Sequence, residues 1–232
     1  MGFTRNYRNM LLNNMASPYG KTADEFNAIP NVFDDSTFFT IKDVDGNLRK
    51  YCFSYSTGIN SSDTLVKTQS NNGGHLTIAH LFGSQSNFDA QYVYSAKKLV
   101  FGTNEAEETL DDYTISTIDT LQFILQPKIT SYSYKDGILT NNYTCVIQND
   151  TDVEVRELGI IYKTPYTSSY GSDQSSQYMC DVLLYRKRIP FLIELKANQP
   201  QVISFSIDVN YPNENLLGGI EEELDTIIEG GV

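Results

Sequence analysis

The chain has 232 residues, enough for one large domain or one domain with extensions, and its formal net charge is −12. Hydrophobic content is 40%, with 12 Phe and 16 Tyr standing in for absent Trp, and no apolar run approaches the roughly 20 residues of a membrane span. Without a Lys/Arg cluster or a signal-like start at Met1–Tyr7, the totals exclude nucleic-acid and membrane roles and predict a soluble protein made in a cytoplasm.

In chain order, Arg5–Met15 comes first. It places Tyr7, Met10, Leu11 and Met15 about one helical turn apart, which predicts a short amphipathic helix. Ser17, Pro18 and Gly20 end it. So short a helix is marginal alone and must dock on its own chain or on a neighbour, which makes Tyr7, Met10 and Leu11 candidate partner contacts. Residues 20–35 read as extended and irregular, so 1–35 form a helix and arm ahead of a β-domain spanning 36–211.

Thr37–Ile41 and Leu48–Tyr55 read as a hairpin around Asp45-Gly46, which supplies the positive φ of a tight turn. Asp43, Asp45 and Asn47 also alternate oxygens as a calcium loop does. Ser54 stands where such a loop needs its twelfth-position glutamate, so the turn is favoured. Residues 57–75 read as a polar surface loop, and 76–82 and 96–101 as strands. His75 and His80, the only histidines, would fall on opposite faces of a strand and cannot converge locally on a metal.

Glu105, Glu107, Glu108, Asp111 and Asp112 carry five unopposed negative charges. Paired glycosidase carboxylates are the sharp reading of this run; a solvated loop or a face for a basic partner is favoured. Strands follow at Thr117–Leu125, Ile129–Tyr134, Tyr143–Ile147, Val153–Tyr162, Met179–Tyr185, Phe191–Leu195 and Val202–Val209, with a second tight turn at Asp136-Gly137. Roughly nine to eleven short strands with alternating polarity predict an all-β fold: an antiparallel, jelly-roll-like β-sandwich behind the N-terminal helix.

Within those strands Gly159 signals a bulge or a close backbone approach. Glu157 and Arg186 are charged residues on otherwise core-facing strands; exposed positions are favoured for them over a pair. Of Cys52, Cys145 and Cys180, the last two sit in apolar strand patterns and read as packed thiols. Tyr166–Tyr170 and Tyr178 form a Tyr/Ser-rich loop that reads as an adaptable contact surface or as an ordinary solvent loop. The tail, 212–232, repeats Leu217, Ile220, Leu224 and Ile227 among six acids and reads as an amphipathic helix or docking segment for a partner, or else as a solvated, frayed terminus. No catalytic residue, cofactor or metal site is expected.

Three segments resemble, in order, a family of tailed-bacteriophage virion structural proteins of the β-sandwich neck, tail or decoration type found in crAss-like and related phages. The first is Leu99–Asn104 followed by Leu110–Ile115, with its Asp111-Asp112-Tyr113. The second is Tyr143–Tyr162, whose Glu157-Leu158-Gly159 resembles the family's glutamate–aliphatic–glycine core. The third is Leu183-Leu184-Tyr185-Arg186 with Phe191–Ile207. Asn104 stands where the family often has glycine, and Ile189-Pro190 shortens the segment after the arginine. The resemblance covers about residues 96–211. It implies a non-enzymatic virion component, partnered by other neck, tail or capsid proteins and by copies of itself. A head-decoration or receptor- or carbohydrate-binding module is the alternative.

Overall fold

The structure, a computed structural model, describes residues 2–16, 23–51, 57–59, 65–67, 97–136, 138–166 and 178–210. The fold is all-β, built from antiparallel sheets, as the strand spacing predicts. Of the described residues, one compact unit holds those up to 121 together with 149–199; a second holds 122–148 and 200–210. Among the described residues no helix is long and apolar enough to cross a membrane.

In the first unit, β5 (Lys97–Gly102), β8 (Val153–Tyr166) and β9 (Tyr178–Leu195) form a sheet in the order β5-β8-β9. The sequence suggests two strands, at 179–185 and 191–195; the structure has one continuous β9. What looks like a break is a bulge. β9 runs from Arg188 to Ile193 where its partner β8 runs only from Val155 to Glu157. Pro190 lies in this bulge, where a missing N–H costs the ladder no bond. The free edge of β9 is closed by the chain's own start: Phe3 bridges Tyr185, Thr4 N–H donates to the Leu184 carbonyl (3.0 Å), and Arg186 N–H donates to Gly2 (2.7 Å).

Helix α1 (Arg5–Ala16) forms where predicted and packs on β1 (Thr40–Lys42) and β9. Thr4 caps it: its carbonyl accepts the Arg8 N–H, while its hydroxyl donates to the Leu183 carbonyl at 2.7 Å. β1 and β2 (Leu48–Lys50) make the predicted hairpin, with Gly46 at φ +87°. Asp43 closes this turn, its carboxylate accepting the N–H groups of Asp45 (3.1 Å) and Asn47 (2.7 Å) and the Arg49 guanidinium (3.0 Å). Both oxygens are thus engaged by the turn itself.

A second helix, α2 (Ala23–Asn27), replaces the irregular arm expected at 20–35. Asp24 and Glu25 in its first turn suit the helix N-terminus, and Lys50 Nζ caps its last carbonyls, Phe26 (3.1 Å) and Asn27 (2.7 Å). Phe26 is fully buried edge-on against Phe39. Within the predicted loop at 57–75 the structure describes a short antiparallel pair, β3 (Thr57–Ile59) and β4 (Leu65–Lys67). The predicted strand at 76–82, with His75 and His80, lies outside the described residues.

The second unit is a sheet in the order β10-β7-β6, formed by β6 (Gln122–Lys135), β7 (Ile138–Gln148) and β10 (Gln201–Asn210). Asp136, at φ +51°, makes the tight β6–β7 turn that its sequence requires. On β7 every second residue from Asn141 to Ile147 is buried, the alternation of a strand with one covered face. The opposite face is polar and cross-linked along the strands. Thr144 bonds Ser204 (3.1 Å), Asn142 donates to Ser131 (3.0 Å), Ser206 donates to Asn142 (2.6 Å), and Thr140 donates to Asp208 (2.7 Å).

Candidate functional site

Charge on the first unit's sheet gathers at one junction. Glu157 on β8 and Arg186 on β9 are the two charges that alternation alone would leave exposed; instead their side chains are 0% and 3% exposed and bonded to each other at 2.6 Å. Arg186 spends the rest of its fork on one segment of chain, 103–116. Nη1 donates to Asp112 (2.8 Å) and the Glu107 carbonyl (3.2 Å), and Nη2 to the Ala106 carbonyl (2.9 Å). The other Glu157 oxygen accepts the N–H groups of Ser116 (2.9 Å) and Asn104 (3.3 Å). The buried pair therefore grips the acidic run from both ends and turns it into a strap.

The rest of the run is held in the same way. Glu105 lies 3.7 Å from Arg156, Glu107 pairs with Arg188, Glu108 accepts the Arg188 N–H (3.2 Å), and Asp111 bonds Arg5 at 2.5 Å. The run is solvated, as expected, with the Glu105, Glu107 and Asp111 side chains 76%, 82% and 60% exposed, but it is tied down by basic groups of this chain. Most of these outer pairs are solvent-exposed and contribute little singly. The pair between Glu157 and Arg186 is different in kind, because two charges out of water are stable only together.

Close packing at the junction has its own requirement. A Cβ on Gly102 would sit 2.5 Å from the Ser116 carbonyl oxygen and closer still to Glu157 Oε1, so only glycine lets the strap lie down. At Gly159 it would meet Ile115 (2.9 Å) and the Tyr185 carbonyl (3.0 Å), the close backbone approach that a mid-strand glycine signals. Beneath the strap Ile115 joins Ile161 and Leu183 in a core cluster with Val44 and Val100.

Burial opposes ionisation of Asp112, yet the Thr109 N–H, the Arg186 guanidinium and the Thr109 hydroxyl outweigh it and hold its carboxyl below the ordinary value of 3.8. Burial likewise opposes the Arg186 charge, and its bonds to Asp112 and Glu157 outweigh that, raising its pKa. A carboxyl depressed in the folded state adds stability above its unfolded value, and that stability is lost as pH falls through the folded one. Thermal unfolding should therefore be flat in the contribution of Asp112 at neutral pH and drop below about pH 4. In Asp112→Asn that acid drop should be shallower; an unchanged acid slope would remove Asp112 from the junction's energetics.

Of the predicted contact residues, Tyr7 and Met10 point into the chain itself: Met10 is 0% exposed and Tyr7 8%. This settles the helix's docking on its own unit and corrects the expectation that these two present a surface to a neighbour. The Leu11 side chain and Leu217, Ile220, Leu224 and Ile227 lie outside the described residues. Missed entirely was the polar half of the same helix face. Asn6, Asn9 and Asn13, one helical turn apart and essentially fully buried, donate to the carbonyls of Lys42 (2.8 Å), Thr40 (2.7 Å) and Tyr51 (3.1 Å).

Cys145 and Cys180 are buried free thiols, as their strand pattern predicts. Burial pushes Cys145 up to about 11; burial, with Asp43 and Asp181 nearby, pushes Cys180 up to about 12, so neither offers a thiolate at neutral pH. Cys52 lies outside the described residues. Of the predicted tyrosine surface, the Tyr166 ring is covered by the Arg49 guanidinium at 4.5 Å; residues 167–177 and the Tyr178 side chain are outside the described set. Among the described residues no group of three or more His, Cys, Asp or Glu is placed to hold a metal ion.

What this arrangement does chemically is saturate its own charges. Every oxygen of Asp112 and Glu157 already accepts from a donor of the chain. No family model, curated protein or solved structure matches the chain.

Proposed function

We propose that the chain is a non-enzymatic structural protein of a tailed-bacteriophage virion, an oligomeric ring, collar or tail component assembled in the host cytoplasm. One observation carries the reading. The segments through which the sequence resembles that family supply Gly102, Asp112, Glu157, Gly159 and Arg186, and these five meet at a single junction whose bonds hold sheet and strap together. Residues spent on rigidity, with their charges satisfied inside the chain, suit a part that works by being stiff and by meeting other copies. An active site would instead leave a donor or acceptor aimed at a substrate.

The test is where the protein is found. Mass spectrometry of purified particles should detect it at stoichiometric levels, and microscopy should place its density in the neck, tail or capsid. Recovery only from the unassembled cell extract would overturn the proposal. Deleting residues 213–232 should leave the described sheets folded, by circular dichroism, while weakening assembly. Unchanged assembly would remove the tail from it.

A further inference from the structure

The two three-stranded sheets have four outer strands, and three of their free edges are blocked. On β9 the chain's own Gly2–Thr4 covers one stretch; beyond it Glu108 takes the Arg188 N–H, and Pro190 has none. On β5 the Phe101 carbonyl accepts the Ile118 N–H (2.8 Å), and Gly102 bridges Thr117. β6 carries Pro127 and three register shifts, the devices by which edge strands avoid pairing.

Among the described residues β10 has none of these. It pairs with β7 residue for residue from Gln201–Ile147 to Asn210–Ile138 without a shift, and Gln201–Asn210 contains no Pro, Gly, Lys or Arg. Among the described strands none lies on its far side. A straight, regular, nearly uncharged edge of this kind is a template for another strand.

We propose that β10 pairs antiparallel with β10 of a second copy, about a two-fold axis at Ser206, joining two three-stranded sheets into one of six. The occupant follows from the strand's own chemistry. With Ser206 opposite Ser206 of the second copy, Phe205 faces Ile207, Ile203 faces Val209, and Ser204 faces Asp208. Asp208 is the strand's one charge, so it meets a hydroxyl donor and never its own copy. An axis at Phe205 would set Val202 against that carboxylate, and a one-residue slip would turn the buried face of one copy outward. The polar face then runs on unbroken. Its rungs, Ser131–Asn142–Ser206 and Thr140–Asp208, end at β10 in each copy and meet there.

The inference deepens the proposed function and rests on its reading of the chain as a self-assembling part. The experiment is light-scattering mass measurement on the full chain. Wild type should be a dimer or a multiple of one. Ser206→Lys and Ser206→Glu, which set like charges across the axis, should each be monomeric with unchanged circular dichroism, and mixing the two should restore the dimer. In a Cys52→Ser background, Ser206→Cys, a near-isosteric change, should crosslink to dimers with a short bis-maleimide while the Cys52→Ser chain alone does not. If wild type and both charge variants share one oligomeric mass, or Ser206→Cys gives no crosslinked dimer, β10 is not the contact, while the virion reading stands. Wild type monomeric at its highest soluble concentration overturns the pairing as well, and detection in particles then decides the virion reading separately.

Discussion

Replacing Arg186 with leucine is expected to cost about 3–5 kcal/mol, the penalty for leaving a buried carboxylate without its partner. Glu157 is fully buried, and in Arg186→Leu its Oε2 faces no cation. Asp112 loses the same partner, as do the carbonyls of Ala106 and Glu107. Urea titration followed by tyrosine fluorescence would read the loss as a lower midpoint. The double variant Glu157→Gln with Arg186→Leu should recover part of it. The buried charge is then gone, while an amide oxygen can still accept the Ser116 and Asn104 N–H groups. A double variant no more stable than Arg186→Leu would mean that the ion pair is not what closes the strap.

Met10→Ala is the second large effect, expected at about 2–5 kcal/mol for a buried methionine whose site cannot fully collapse. Met10 lies on α1 with its side chain at 0% exposure, between the rungs of Asn6, Asn9 and Asn13. Those amides fix the helix to β1 and to Tyr51 through backbone carbonyls, which limits how far the helix can move to fill the gap. The loss should appear in the isolated chain, as a lower denaturation midpoint. A variant as stable as wild type but impaired in assembly would return Met10 to the role of a partner contact.

These two sites also show what the sequence makes legible. Period-two alternation located β7 and β10, because each buries one face; Asp-Gly located both tight turns, because the backbone there needs positive φ. Helix α1 was visible through its apolar spacing. Its asparagines were not, since an amide is stable in a core only where another segment's carbonyls wait for it, and those carbonyls lie 31–38 residues away. The bases that tie down the solvated acidic run were hidden for the same reason. Arg156 and Arg188 answer it from strands about fifty to eighty positions distant, and Arg5 from 106 positions in the other direction. A signal was present all the same: Arg156, Glu157, Arg186 and Arg188 are an unusual density of charge on strands that otherwise alternate toward a core. Pro190 read as a strand end because a bulge and a break look alike in one dimension.

Hydrogen exchange across residues 103–117 of the isolated chain puts the junction to its most direct test. If Glu157 and Arg186 clasp this stretch internally, the Ser116 and Asn104 amides exchange slowly without any partner present, and Arg186→Leu releases both. Exchange in the wild-type chain at the rate of an unprotected loop would contradict the account.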